Sequence, residues 1–600
     1  MSDLRTAISQ IFSFAQRGYG RFLEAQQVRM ANNIEGLPVL ALLGLISGVV
    51  CGGIILLFRL LIDGSTSALL PNGKAEGFES LSGHARFFLC AAGGLCVGLI
   101  LSAIKAKARN VGVVHVLERL DYHQGNLPIR NALVQFVAAA IALISGQSIG
   151  REGPSVHLGA AGGSALGRIL SIPNNGVRIL VGCGVAAAIS AAFNTPLAGV
   201  IFAMEVVIME YTVIGFAPVI LAAVSATTLT RLVFGDDTAF TVPIVSGASI
   251  QELPMVAAMG AVIGCLAAAF IQMTLFTSSL FARQAIWLRL LLAGVITGLI
   301  AYQMPQVMGT GYDTVNNLLL ANLSLGLVVL LVIAKTIATS ASIGLGMPAG
   351  LIGPTLFIGA ASGATIGAIA GYIDPASSGS GYYAILGMAA MMAATLQAPL
   401  AALIYLLELT STQAIILPGM TAVITAYLVT RIVFGKSSIY RHLMLSRGLD
   451  YRNSPLAKAL RRIGVASVMD REILQQKRSI SVLEAQELLK LEPRWILLRD
   501  PQDDRKTSLL PATDLARYLN ELAEKSRDGG THADDLDLLK IPAKRLDTSV
   551  ITIIATLQEA HEKMQSEQCE VLYITGAHGQ SKKTVYGVVT REHIESSYRV

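Results

Sequence analysis

Residues 146–163, GQSIGREGPSVHLGAAGG, place two adjacent charges, Arg151 and Glu152, in a glycine-rich stretch between long apolar segments. The Gly153-Pro154 pair that follows is typical of a loop ending in a helix, because proline suits the first helical position. Glycine also lets the backbone approach a ligand closely. The free N–H groups and positive dipole end of such a helix attract anions. The stretch therefore predicts a helix N-terminus facing a cavity, with the Glu152 carboxylate in an anion position and Arg151 holding the loop.

The composition indicates a membrane protein. Of 600 residues, 53% are hydrophobic and 14% are charged, whereas soluble domains carry about 25% charged residues. Six cysteines without CxxC spacing argue against a disulfide framework and against a thiolate metal site. The formal net charge of +6 fits basic loops on the cytoplasmic side better than a nucleic-acid surface. We expect a multi-pass α-helical membrane protein whose partners include the lipid bilayer but no nucleic acid.

Hydropathy and charge divide the chain into four parts. We predict a basic amphipathic helix on the cytoplasmic surface over 1–36, a membrane domain over 37–445, a linker over 446–464 and a cytosolic domain over 465–600. Segments long enough to span a bilayer lie at 37–62, 87–104, 213–234, 255–280, 284–303 and 325–340. Segments that are short or broken by Gly and Pro lie at 131–145, 154–170, 176–192, 196–210, 354–372, 383–396 and 398–410. Broken helices persist in a membrane only around a cavity or inside protein, so we expect a polar pathway.

The membrane domain contains an internal repeat, with halves at about 37–235 and 250–445. GPSVHLGAAGG at 153–163 recurs as GPTLFIGAASG at 353–363, and PLAGVIFAME at 196–205 recurs as PLAALIYLLE at 399–408. Repeats of this kind place a transport site where the two halves meet. The small residues also suit close helix packing, but packing does not explain the two charges.

These motifs resemble the signatures of one transport family. GREGP at 150–154, GLIGP at 350–354, NTPLAG at 194–199 and Tyr440 after a Gly-Lys pair resemble the CLC chloride channels and chloride/proton exchangers. The resemblance covers 37–445 and implies an inverted-repeat homodimer with many short tilted helices and one anion pore per subunit. It also implies that Glu152 is a gate, which occupies an anion site when ionised and leaves it when protonated or displaced. The residues assigned to anion binding are Val111, Gly112, Arg151, Gly153, Leu351, Ile352 and Tyr440.

Two departures from the family pattern concern the lining of the anion site. The first signature, GSGIP in the family, reads NVGVV at 110–114, with Val111 where a pore serine is usual. The aromatic residue of the second signature is replaced by Ile352. The missing serine removes one hydroxyl donor from the site. We therefore expect transport of chloride and leave selectivity among small anions open.

A third departure concerns proton coupling. Exchangers of this family carry an internal glutamate that relays protons, and alignment on NTPLAG places Val206 there and Glu205 one residue earlier. One residue rotates a helix by about 100°, so Glu205 should face another way. This favours a passive chloride channel. The alternative is a chloride/proton antiporter that uses Glu152 and Glu205 in a non-standard proton path, whereas the repeat twin Glu408 favours a structural role for Glu205.

The tail shows strand–helix–strand order twice, which resembles a tandem CBS-domain pair. Such pairs often bind adenine nucleotides through a Thr-x-x-Asp motif. The second unit keeps Thr590 but has His593 in place of the aspartate, and the first keeps Asp514 but has Pro511 in place of the threonine. A nucleotide-regulated transporter and a tail that only dimerises the protein both remain open.

Other chemistry has little support in the sequence. No nucleophile–base set, metal cluster or P-loop is present, so we expect no enzymatic activity, no metal and no required cofactor. His115, His123 and His157 look isolated and lack metal-ligand spacing, so they are interpreted as structural or solvent-facing residues. We expect an integral protein of a bacterial inner membrane, with the N-terminus and the tail in the cytoplasm.

Overall fold

The computed structural model describes residues 36–236, 240, 250–449, 455–499, 507–527, 535–576 and 584–597. The amphipathic helix predicted over 1–36 lies outside these residues except for its last position. The chain forms two compact units. One contains Val39–Arg168 and Val177–Tyr451, and the other contains Arg452–Val600 together with Ile169–Gly176.

The first unit is built entirely of helices in the part of the chain that the structure describes. In chain order they are α1 Leu37–Leu69, α2 Gly83–Ala103, α3 Gly112–Tyr122, α4 Ile129–Ile144, α5 Glu152–Ile169, α6 Asn174–Phe193, α7 Pro196–Phe202, α8 Val213–Phe234, α9 Leu253–Leu280, α10 Ile286–Gln303, α11 Tyr312–Leu319, α12 Leu325–Gly344, α13 Ile352–Ile373, α14 Ser380–Leu396, α15 Pro399–Thr410, α16 Ile416–Leu428 and α17 Ile439–Ser446. A π-helical turn, Ala203–Ile208, continues α7.

Nine stretches of helix among the described residues are long and apolar enough to cross a membrane. They include α6 and α13, which the sequence suggested were too short or broken, and Gln413–Val433, which it missed. Helix α6 is almost wholly buried inside the protein, so its polar and small residues do not meet lipid. Helices α4, α7, α14 and α15 are short, as expected. The prediction of a multi-pass membrane protein with several short helices is confirmed.

Small residues of the two repeats allow equivalent helix pairs to touch. A Cβ on Gly159 of α5 would lie 2.2 Å from the carbonyl oxygen of Gly184 of α6. A Cβ on Gly359 of α13 would lie 2.3 Å from the carbonyl oxygen of Gly387 of α14. Both distances are far below a normal contact, so a side chain at either glycine would force the helices apart. The packing role of the repeated motif is confirmed in both halves.

The second unit carries a mixed sheet with helices. Its helices are α18 Pro455–Arg462, α19 Val465–Val468, α20 Val482–Leu489, α21 Ala512–Arg527, α22 Leu557–Glu567 and α23 Arg591–Ser596. Its strands are β1 Ile473–Lys477, β2 Ser479–Ser481, β3 Trp495–Arg499, β4 Thr507–Pro511, β5 Asp535–Asp537, β6 Leu546–Thr552, β7 Val571–Thr575 and β8 Val585–Thr590. Six strands form one sheet in the order β1-β3-β4-β6-β7-β8, and β2 pairs with β5.

The sheet repeats one local pattern twice. A parallel pair, β1 with β3, is followed by antiparallel β4, and a parallel pair, β6 with β7, is followed by antiparallel β8. Helix α20 or α22 connects each parallel pair, and each of these helices begins with a capping box, at Ser481 and at Thr556. The interval predicted as a linker contains α18, and Leu460 of that helix is fully buried in the core of the tail. The duplicated order matches the pattern that suggested a CBS pair.

Candidate functional site: a buried carboxylate between two helix starts

The loops before α5 and α13 meet in an antiparallel bridge. The amide N–H of Gly150 donates to the carbonyl of Gly350 at 2.9 Å, and that of Gly350 donates to Gly150 at 2.8 Å. A Cβ on Gly350 would lie 2.4 Å from the nitrogen of Gly153. The close approach at Gly153 is therefore to the backbone of the other repeat, and glycine is needed there because the two loops touch. The bridge brings the two repeats together at the predicted site.

Glu152 is fully buried at this junction. Its Oε2 accepts the N–H of Gly353 at 3.1 Å, and its Oε1 accepts the hydroxyl of Tyr312. Gly353 lies in the first turn of α13, so the carboxylate occupies an anion position at the start of the second repeat's helix. The free N–H groups and the dipole of that helix stabilise negative charge. The first repeat thus supplies the charge, and the second repeat supplies the helix start that binds it.

Arg151 supports the loop from the other side. Its Nη1 lies 3.7 Å from Asp63 Oδ1 of α1, and its guanidinium carbon lies 5.0 Å from the centre of the Tyr312 ring. Asp63 also pairs with Arg59 at 3.4 Å. The arginine side chain is 11% exposed. These contacts are those of a brace between α1 and the loop.

Four of the predicted anion-binding residues line one cavity of about 590 Å³: Val111, Gly112, Leu351 and Tyr440. The hydroxyl of Tyr440 is buried and has no hydrogen-bond partner within the described residues. A buried hydroxyl without a partner is costly, so this donor is available to a ligand. Arg151, Gly153 and Ile352 do not line the cavity.

Several candidate functional residues were not predicted from the sequence. Arg109, Arg289 and Arg447 line the same cavity together with Glu118, and a cavity with more positive than negative side chains attracts anions. These arginines come from three distant segments, so no local pattern joins them. Tyr312 was also missed, and its only local signal is the glycine-rich stretch GTGYD at 309–313 that opens α11.

Glu205 of the first repeat and Glu408 of the second repeat each bind backbone N–H groups of the opposite repeat. The carboxylate of Glu205 accepts the N–H groups of Leu400 at 3.2 Å and Ala401 at 2.7 Å. That of Glu408 accepts the corresponding N–H groups of the first repeat, Leu197 at 2.8 Å and Ala198 at 2.7 Å. Each glutamate therefore binds the first turn of the other repeat's short helix, α15 or α7. Val206, at the relay position, is buried and carries no proton-binding group.

Two of the histidines interpreted as isolated are paired. His115 Nδ1 and His157 Nε2 are 2.8 Å apart, and both rings are buried. They lie on α3 and α5, which are distant in sequence, so spacing alone did not reveal the pair. No group of three His, Cys, Asp or Glu side chains suited to a metal occurs within the described residues.

In the tail, the two predicted nucleotide residues have different local partners. Thr590 caps α23, since its hydroxyl accepts the N–H of His593 and His593 Nδ1 accepts the N–H of Thr590, both at 3.3 Å. Asp514 pairs with Arg517 at 2.5 Å and accepts the N–H of Lys544. A cavity of about 360 Å³ is lined by Thr590 and His593 but not by Asp514. Arg494, Lys544 and Arg591 also line it.

The membrane domain is similar in sequence and in fold to known proteins. Residues 93–431 match the family model described as voltage gated chloride channel. A ClcB-like protein of Ralstonia nicotianae is 34% identical over 394 residues, which are 64% of this chain and 92% of that protein. The H⁺/Cl⁻ exchange transporter ClcA of Vibrio parahaemolyticus is 30% identical over 321 residues, 52% of this chain and 68% of that protein. The crystal structure of a slow cyanobacterial Cl⁻/H⁺ antiporter superposes with a TM-score of 0.62 at 21% identity, covering 69% of this chain and 99% of that one.

Proposed function

The chain belongs to the CLC family of voltage-gated chloride channels and related transporters, and on that premise we propose that it carries chloride across the membrane through a pore gated by Glu152. The family consists of channels and transporters, so the prediction that the protein is not an enzyme is confirmed. The observation that carries the proposal is the bond from the Gly353 N–H to the Glu152 carboxylate. An ionised glutamate there competes with a transported anion for the same donors.

The cavity beside this junction supports passage of an anion. Backbone N–H groups and the free hydroxyl of Tyr440 replace hydration without a full positive charge, so an anion binds and can still leave. The arginines at 109, 289 and 447 raise the local concentration of anions. No bound cofactor is needed for this mechanism.

We propose passive conduction as the first candidate mode. Val206 carries no proton, and both oxygens of Glu205 are occupied by the first turn of α15. Chloride/proton antiport is the second candidate, and similarity to an exchange transporter and to an antiporter structure supports it. In that mode protons reach Glu152 by a path that does not require Val206.

We propose a homodimer with one pore per subunit, in a bacterial inner membrane, with both termini cytoplasmic. We propose a CBS pair for the tail, on the duplicated strand–helix–strand order. If the tail binds a nucleotide, the site that we propose is the cavity lined by Thr590, which Asp514 does not line.

Liposome flux with chloride and pH electrodes recorded together tests the mode. Vesicles are loaded with chloride, a chloride gradient is imposed, and the membrane potential is clamped. Passive conduction predicts chloride movement with no proton uptake against a proton gradient. Proton movement at a fixed ratio to chloride supports antiport, and no chloride movement contradicts transport altogether.

A further inference from the structure

The hydroxyl that meets Glu152 comes from Tyr312, a residue in none of the repeated motifs. The tyrosine is buried, and its ring packs edge-on against Phe240 with 4.8 Å between ring centres and lies 6.3 Å from Phe193. Packed aromatic neighbours restrict the ring to one orientation. In that orientation the hydroxyl donates to Glu152 Oε1 while Gly353 donates to Oε2. The two oxygens of the carboxylate are thus bound from two separate elements.

Two charged residues hold the segment that carries Tyr312. Glu76, in the connection between α1 and α2, accepts the N–H of Tyr312 at 2.8 Å and the hydroxyl of Thr310. Lys335 of α12 is fully buried and donates to the carbonyls of residues 307 and 309 at 2.9 and 3.0 Å. A fully buried lysine is costly unless its donors are satisfied. Both charged groups therefore bind the segment that leads into α11, and they hold the backbone that carries Tyr312 in place.

Several ionisable groups surround the Glu152–Tyr312 pair on the neighbouring elements. They are Arg151 beside the gate, Arg59 and Asp63 on α1, Glu76 before α2, Asp313 on α11, Lys335 on α12, Tyr405 on α15 and Tyr440 on α17. Substitution of a charged member would change the field at Glu152 directly. A change of tyrosine to phenylalanine removes a hydrogen bond and leaves every charge in place, so it isolates the contribution of the hydroxyl.

We propose that Tyr312 is a positioning residue of the gate, whose hydroxyl holds ionised Glu152 at the start of α13 and sets the pH at which the gate leaves. The inference rests on the proposed function, in which protonation of Glu152 opens the pore. A donor to a carboxylate favours its charged form, and loss of the donor favours protonation. The gate of a variant without the hydroxyl opens at higher pH than that of the native protein.

The test is the pH dependence of chloride efflux from liposomes containing the full-length protein. Tyr312→Phe is expected to raise the midpoint pH by about one unit, a roughly tenfold change in proton affinity, with the maximal flux retained. Tyr405→Phe is the matched control. Its hydroxyl is also buried, has no partner within the described residues, and its ring lies 5.3 Å from Phe193. This control should keep the native midpoint.

The double variant Tyr312→Phe/Glu152→Gln separates positioning from general disturbance. Without the carboxylate, the tyrosine change should have no effect on the pH profile. A native midpoint in Tyr312→Phe, or a shift that persists in the Glu152→Gln background, overturns the role of Tyr312. If Tyr312→Phe does not yield folded protein, Tyr312→Leu also removes the hydroxyl without changing any charge and should move the midpoint upward. An unchanged midpoint there also overturns the role, whereas absence of flux in every variant contradicts the transport function itself.

Discussion

At the scale of single residues, two buried tyrosine hydroxyls near the proposed pore differ in their hydrogen bonding. Tyr312 donates to Glu152, whereas Tyr440 has no partner within the described residues and faces the cavity. Tyr440 was found from a family motif. Tyr312 was not, because its contact with Glu152 joins residues 160 positions apart, and a hydrogen bond of that range leaves no periodic trace in the sequence.

Tyr440→Phe is expected to weaken chloride binding about tenfold to a hundredfold, since a hydrogen bond to a charged group contributes roughly 1.5–3 kcal/mol. The free energy of unfolding without chloride should stay the same or rise slightly, because the lost hydroxyl was unpaired. Isothermal titration calorimetry with chloride and a thermal melt at zero chloride measure the two effects. Native chloride affinity in this variant would show that the hydroxyl does not bind the anion.

His593 gives the tail a predicted pH response. The pKa of His593 lies below its ordinary value of 6.5, and the largest cause of this shift is burial of the ring. The unfolded histidine therefore binds a proton at a higher pH than the folded one, and stability is lost as pH falls below about 6.5 toward the folded pKa. Protonation also removes the acceptor for the N–H of Thr590.

Hydrogen exchange of α23 in the full-length protein measures this response. Protection should fall between about pH 7 and about pH 5 after correction for the intrinsic exchange rate. The variant His593→Asn, which cannot titrate in this range, should show a flatter profile. Equal profiles in the two proteins would remove His593 as the cause.

At the scale of elements, two glutamates join the repeats, because each glutamate binds the start of a short helix in the opposite repeat. Both repeats and their helix starts were evident from GPxxxxGAA and PLA motifs, because proline and glycine act locally. The hydrogen bonds that Glu205 and Glu408 accept from the opposite repeat were not evident, since their donors lie 195 and 211 residues away in sequence. Helix α6 was underestimated for a related reason: its polar and small residues are tolerated inside the protein rather than in lipid.

Glu205→Gln and Glu408→Gln should behave as a matched pair. Each replaces a carboxyl group whose two oxygens accept two backbone N–H groups by an amide with one acceptor oxygen, at an expected cost of about 1–2 kcal/mol in stability. Thermal melts in detergent should show similar losses, and in liposomes both variants should show the same proton movement during chloride flux as the native protein. A change of proton movement in Glu205→Gln alone would assign Glu205 to a proton path.

At the scale of the whole molecule, the two repeats meet at the bridge between Gly150 and Gly350, and we propose that the pore forms there. The internal repeat and the charged loop predicted that meeting point, and the bridge confirms it. What the sequence left out is which helix start receives Glu152. That choice depends on how the two halves are arranged in three dimensions, and the bond to Gly353 answers it. Both transport modes that we propose use this arrangement, and they differ in whether a proton bound to Glu152 crosses the membrane.

The central claim is that ionised Glu152 closes the pore by occupying an anion position. Chloride efflux from liposomes, compared between the native protein and Glu152→Gln from about pH 4 to about pH 8, tests it most directly. Glutamine mimics the protonated side chain, so the variant should conduct at every pH with a flux at least equal to the native protein at its most acidic point. A variant that keeps the native pH dependence would contradict the assignment of Glu152 as the gate.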